Sequence, residues 1–186
     1  MARPAGFINF SLFDEINQKA NLDLVKLKIE QNNWQEAIQY CANLDMDDYL
    51  AQYYTGIIEA KRQNYSRAIE LFIKAIKSGS NEYDFYLDLA KAYIDQAAFT
   101  EALGALKESI KYSLLKNDKT RLDEKYFLSG WVLIKRKEFS QAMLNLSSIN
   151  EHSKLYQNAQ ILIQLIMEKR EEYNRGNDED RKSTRL

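Results

Sequence analysis

Across residues 83–113, YDFYLDLAKAYIDQAAFTEALGALKESIKYS, apolar and small residues fall at Tyr86, Leu89, Ala90 and Tyr93, and again at Phe99, Ala102, Leu103, Leu106 and Ile110. Both sets recur at three and four residues, the period of a helix that buries one face. Between them lies Asp95-Gln96-Ala97-Ala98, a connection short enough to force two helices to pack as antiparallel neighbours. Ala90 and Ala102 mark the expected point of closest backbone approach, with Tyr93 and Phe99 filling the space on either side.

The same spacing returns elsewhere, so the chain reads as an internal repeat. Thr55-Gly56, Glu59, Tyr65, Ala68, Phe72 and Ala75 stand where Leu89-Ala90, Tyr93, Phe99, Ala102, Leu106 and Ser109 stand in the reference unit. Ser129-Gly130, Leu133, Phe139, Ala142, Leu146 and Ile149 form a third copy, and Leu24-Val25, Lys28, Trp34, Ala37, Cys41 and Leu44 a more divergent first one. The segments NNWQEAI, QNYSRAI, AAFTEAL and KEFSQAM repeat one short motif.

These residues resemble the tetratricopeptide repeat, in which a large aromatic, Leu-Gly and then Tyr on one helix are followed by Ala and an aromatic on the next. Tyr65 to Phe99 matches the family period of about 34 residues; Trp34 to Tyr65 is slightly shorter and Phe99 to Phe139 slightly longer. No copy has the family's proline after the second helix, and Glu59 and Lys28 replace an expected aromatic. The resemblance implies an all-α fold, a right-handed α-solenoid of stacked antiparallel hairpins with a C-terminal sealing helix.

In chain order this gives an arm or cap over residues 1–17, hairpins over 18–48, 49–82, 83–122 and 123–150, a capping helix over 151–173 and a charged, disordered tail over 174–186. Phe7, Phe10, Leu12, Phe13 and Ile16 form an amphipathic N-terminal segment. It is expected either to cover the open face of the first repeat, as terminal repeats require, or to dock in another subunit through Phe7, Phe10 and Phe13. The aspartates of Asp45-Met46-Asp47-Asp48 suit a helix N-terminus, and Ser78-Gly79-Ser80-Asn81 suits a helix stop followed by a cap. The segment LLKNDKTRLDE after Ser113 exceeds the repeat period and predicts a longer helix and loop at that joint. Apolar positions Tyr156, Ala159, Leu162, Ile163, Leu165, Ile166 and Met167 outline the sealing helix.

Composition narrows the chemistry. One proline and six glycines among 186 residues, with 45% apolar side chains, suit a helical chain with a continuous core. A net charge of −1 gives no general attraction to nucleic acid or to an anionic membrane, and no apolar run is long enough to span a bilayer. Cys41 alone forms no internal disulfide, which favours a cytoplasmic setting. His152 is the sole histidine and is expected in an exposed turn, so no Ser-His-Asp or Cys-His pair, metal site or phosphate loop is outlined. The chain is therefore read as a non-enzyme, with no cofactor and no catalytic residue.

In the tetratricopeptide family the first helices of the hairpins line a concave groove, and the resemblance implies the same surface here. Helical spacing assigns to it Leu50, Tyr53, Tyr54, Ile57 and Lys61, then Asp84, Leu87, Asp88, Lys91 and Asp95, then Glu124, Phe127, Leu128, Trp131 and Lys135. The first repeat would add Lys19, Leu22, Asp23, Lys26 and Glu30. Tyr53, Tyr54, Phe127 and Trp131 exceed the repeat's own packing set and mark a binding surface. The expected partner is another protein, offering a peptide or helix with apolar anchors and Lys or Arg opposite the acidic stripe of Asp84, Asp88, Lys91 and Asp95. An adaptor or scaffold is the main reading and a subunit of a larger assembly its neighbour. Thr184 and Leu186 form a minimal C-terminal motif for a PDZ domain.

Overall fold

The computed structural model describes the backbone over residues 10–78 and 83–183, and side chains over 12–78 and 84–171. Every element among them is a helix, and the chain divides into two compact units, residues 1–96 and 97–186.

The first unit holds α1 (Phe10–Glu30), α2 (Trp34–Cys41), α3 (Tyr49–Lys61), α4 (Tyr65–Lys77) and α5 (Tyr83–Asp95). α1 pairs with α2, α3 pairs with α4, and α5 lies on both α4 and α3. Their starts are written locally. Asp48 caps α3 by accepting from the Leu50 and Ala51 amides at 2.6 and 3.2 Å, and Asn33 caps α2 through the Glu36 amide. Val25, Ala37, Leu44, Ala51 and Ile58 form one core, with Leu22, Ile29, Tyr40, Cys41 and Tyr54 packed against it. Gly56 is a glycine because a Cβ there would lie 2.8 Å from Cε1 of Phe72, the aromatic that fills the α3–α4 contact.

The second unit holds α6 (Phe99–Leu115), α7 (Leu122–Lys135), α8 (Phe139–Ser147) and α9 (Tyr156–Ser183), each packed on the next. Ala102, Leu106, Val132, Leu133, Ala142 and Leu146 are its deepest apolar residues, and Ala159 and Ile166 of α9 are buried as well. Gly130 repeats the role of Gly56: a Cβ would meet Leu146 Cγ at 2.6 Å. Lys125 is fully buried, its ammonium donating to Ser113 Oγ at 2.6 Å.

Four helix-connecting turns among the described residues share one conformation. Asn32, Gln63, Ala97 and Lys137 have positive φ of 56°, 65°, 57° and 63°. Each stands two residues before Trp34, Tyr65, Phe99 or Phe139, the aromatic that opens the next helix. In three turns the following amide reaches back five residues, from Asn33 to Lys28, Asn64 to Glu59 and Glu138 to Leu133, the closure that ends a helix through a left-handed residue. Where the first two repeats lack the family aromatic, polar contacts stand at the turn: Lys28 Nζ lies 2.6 Å from Glu36, and Glu59 accepts from Arg62 and Asn64.

Three boundaries and one apolar face differ from expectation. α1 is continuous from Phe10, so the N-terminal arm is the leading end of the first hairpin helix. α5 groups with the first unit and α6 with the second, so the hairpin expected over 83–122 is shared between them. α9 continues to Ser183, past the helix end expected near residue 173. Leu165 and Met167 of that helix, expected on its apolar sealing face, are 48% and 50% exposed. Phe7, Gly79, Thr184 and Leu186, and the side chain of Phe10, lie outside the described residues.

Candidate partner-binding site

In the first unit α3 and α5 enclose a cavity of about 490 Å³, lined by Ile57, Lys61, Asp88, Lys91 and Asp95 together with Trp34, Ala60, Phe72 and Ala92. The first five are expected groove residues. Phe72 and Ala92, each 1% exposed, form a closed apolar floor. Trp34, Ile57 and Ala60 are half-buried, while Lys61 and Asp95 are exposed.

The charged residues are held rather than loosely solvated. Asp88 accepts a 2.5 Å hydrogen bond from the Tyr53 hydroxyl and lies 3.8 Å from Lys91 Nζ. Lys61 Nζ sits 5.1 Å above the Trp34 ring, a cation–π contact that orders an otherwise flexible side chain. Gln96 at the end of the unit donates to Ser66 Oγ at 2.8 Å. The stripe expected to be acidic is thus a cavity with two carboxylates and two ammonium groups.

Four expected groove residues of this unit take other roles. Leu87 is fully buried and Tyr53 only 8% exposed, because α5 packs on both α3 and α4 and covers them. The Tyr53 ring stacks on Phe85 at 3.7 Å with an interplanar angle of 11°, so its hydroxyl alone reaches the charged cluster. Asp84 lies in the first turn of α5, where a carboxylate complements the helix N-terminus. Tyr54 stands half-buried against the first hairpin's core. Burial pushes its phenol up, and the charges of Glu30 and Asp23 add to the shift.

In the second unit Phe127, Leu128 and Trp131 are half-buried on α7 and Lys135 is exposed at its end. Trp131 meets Phe99 edge-on at 5.9 Å and carries Lys135 Nζ 4.9 Å above its ring. This is the same Lys-over-Trp pairing as Lys61 with Trp34. Lys135 also edges an apolar cavity of about 370 Å³ with Ile134, Phe139, Leu162 and Leu165.

Sequence reasoning missed Trp34, Phe72, Ala60 and Ala92. Trp34 and Phe72 were assigned to hairpin packing, and the one legible signal was the extra bulk of tryptophan where the other copies carry Tyr or Phe.

Other chemistry finds little support. His152 is 88% exposed in the turn before α9. Burial raises the Cys41 thiol pKa, and its side-chain neighbour is the neutral Thr55 hydroxyl at 3.8 Å, so it is held as the thiol rather than the reactive thiolate. Among the described residues no group of three His, Cys, Asp or Glu is placed to hold a metal, and no helix is long and apolar enough to cross a membrane.

The tetratricopeptide-repeat family model matches residues 22–83 and 53–112. No curated protein matches in sequence. Solved structures share the fold at low identity. YrrB, described as a TPR protein with an unusual peptide-binding site, is 16% identical with a TM-score of 0.70, covering 90% of this chain and 86% of its own. PilF of Pseudomonas aeruginosa is also 16% identical with a TM-score of 0.70, over 86% of this chain and 72% of its own. The Cut9–Hcn1 hetero-tetramer of the APC/C is 19% identical with a TM-score of 0.67, over 78% of this chain but 29% of that one. Helical hairpins with small residues at their contacts, a recurring turn conformation and these matches agree: residues 22–112 are tetratricopeptide repeats.

Proposed function

We propose that the protein is a non-enzymatic interaction module, an adaptor or scaffold that holds a segment of another protein in the α3–α5 cavity. The observation that carries this reading is the cavity itself: an apolar floor of Phe72 and Ala92, a Trp34 wall and the exposed Asp95 carboxylate in one concave site of about 490 Å³. Such a site takes an apolar side chain into its floor and fixes orientation with a few polar groups. The ligand segment presents an aliphatic or aromatic anchor followed by Lys or Arg, which pairs with Asp95. Lys61, held over Trp34, repels a second basic residue on the other side and so contributes to register. The peptide site of YrrB is consistent with this class of work, as a property of that protein.

A subunit of a larger assembly is the second reading, favoured by the exposed Ile161, Leu165 and Met167 along α9. The two are separated by affinity capture from the native source with wild-type, Trp34→Ala and Asp95→Lys chains. Loss of one partner in both variants supports the cavity. Retention of every partner in both variants would transfer function to another face.

A further inference from the structure

The α3–α5 cavity has a counterpart in the second unit, the cavity of about 370 Å³ lined by α7, α9 and the turn and helix between them. In the register that sets Gly130 on Gly56, six residues of one cavity fall on six of the other at a constant offset. Ala60, Lys61 and Ala92 correspond to Ile134, Lys135 and Ile166, and their burial agrees pair by pair. Ala60 and Ile134 are half-buried, Lys61 and Lys135 are exposed, and at the floor Ala92 is 1% and Ile166 2% exposed. The same concavity is therefore built twice, because α7, α8 and α9 follow one another as α3, α4 and α5 do.

The chemistry does not recur. Asp88, Lys91 and Asp95 of the first cavity give way to Leu162, Leu165 and Lys169 in the second. Lys137, in the turn between α7 and α8, adds a third ammonium group to Lys135 and Lys169, and no carboxylate lines the site. The carboxylates next to these lysines in sequence are engaged: Glu138 lies 2.6 Å from Arg136, and Glu168 accepts from the Gln164 amide at 3.0 Å. Among the described residues none of the three lysines forms an ion pair. Leu165 is 48% exposed and Leu162 and Phe139 are half-buried, so apolar surface stands open beside three uncompensated cations. Such a surface attracts a carboxylate and repels Lys or Arg.

We propose that this cavity is a second binding site, which takes a segment of a partner protein carrying an aliphatic side chain flanked by Asp or Glu. The aliphatic group packs on Ile134, Leu162 and Ile166, and the carboxylates face Lys137 and Lys169. The preference is opposite to that of the α3–α5 cavity, where Asp95 selects Lys or Arg, so the two sites sort segments by charge while sharing a taste for an apolar anchor. The site stands on its own lining and does not depend on the α3–α5 cavity being occupied.

Peptide selection from a random displayed library tests it, on the full chain carrying Trp34→Ala, which removes a wall of the first cavity without adding charge. The expected peptides pair Leu, Ile or Val with a nearby Asp or Glu. Leu165→Asp, added to that chain, is expected to weaken them at least tenfold at every salt concentration. Lys169→Glu is expected to weaken them at least tenfold at low salt and less at high salt. Both positions are exposed, so helical circular dichroism is expected to stay unchanged. Selection on a chain with Lys137→Glu and Lys169→Glu is expected to replace the acidic residues by Lys or Arg beside the same anchor. A first selection that enriches no peptide, or only peptides without Asp or Glu, overturns the proposal. Binding that neither Leu165→Asp nor Lys169→Glu changes overturns it equally. Each of those outcomes leaves the α3–α5 reading in place, because that reading is judged on basic peptides bound by the wild type and lost in Trp34→Ala.

Discussion

The Tyr53 hydroxyl and the Asp88 carboxylate are 2.5 Å apart, the one from α3 and the other from α5. The bond joins two successive repeats at the edge of the cavity between them. Asp88 is 18% exposed and also faces Lys91, so its charge is committed to the architecture as much as to any ligand. Tyr53→Phe keeps the ring stack on Phe85 and removes only the donor. It should cost about 1.5–3 kcal/mol, the range for a hydrogen bond to a charged group, measured by urea unfolding. An unchanged midpoint would mean that the bond does not hold in solution.

The glycines give a graded test of the repeat contacts. Gly130→Ala places a Cβ 2.6 Å from Leu146 Cγ, and Gly56→Ala 2.8 Å from Phe72 Cε1, whereas nothing lies within 4 Å of a Cβ at Gly104. The first two should each destabilise by about 1–3 kcal/mol through overpacking. Gly104→Ala, in the exposed interior of α6, should instead stabilise by up to about 1 kcal/mol through helix propensity. Thermal unfolding of the three variants would read the order directly.

That register was open to sequence reasoning because glycine, alanine and aromatic positions recur at the family spacing, and Gly56, Phe72, Gly130 and Leu146 fall where the repeat assigns them. The site was less open. Leu87 and Asp88 are adjacent on one helix, and helical period alone does not say which of them α3 and α4 cover. Only the packing decides that Leu87 is core while Asp88 edges the cavity. Trp34 was hidden for the opposite reason: its repeat position already explained it, although Lys61 and Ile57 of the next repeat give it a second surface. The ends of α1 and α9 escaped because charged, proline-free sequence is compatible with helix.

Lys137 should respond to the left-handed conformation its turn requires. At φ 63° a side chain is strained, and Lys137→Gly should stabilise the second unit by up to about 1 kcal/mol. Guanidinium unfolding of wild type and variant checks the sign. Destabilisation would mean that the lysine side chain contributes more than its backbone strain costs.

The Lys28–Glu36 pair makes stability depend on pH at both extremes. Glu36 is held below the usual carboxylate range first by its bond to Lys28 and then by Asn33. Its contribution is present above the ordinary carboxylate pKa and is lost as pH falls through the lowered one. Lys28 is raised, mainly by Glu36, so its contribution is present below the ordinary lysine pKa and is lost as pH rises through the raised one. Glu36→Gln should therefore be less stable than wild type by a constant amount at neutral pH, with the gap closing as acid titrates Glu36. A gap that persists at the acid end would assign the effect to the α2 cap.

The most direct test of the central claim is selection of peptides from a random displayed library on the immobilised full chain, with affinities then measured for wild-type, Trp34→Ala and Asp95→Lys proteins. The account predicts selected peptides that pair an aliphatic or aromatic residue with a nearby Lys or Arg. Trp34→Ala should weaken them by about 2 kcal/mol, the scale of a buried anchor, at every salt concentration. Asp95→Lys should weaken them most at low salt and flatten the salt dependence, as expected for an exposed charge pair. Selected peptides with no such pairing among them, or binding of the paired ones that both substitutions leave unchanged, would contradict the assignment of the α3–α5 cavity as a partner-binding site.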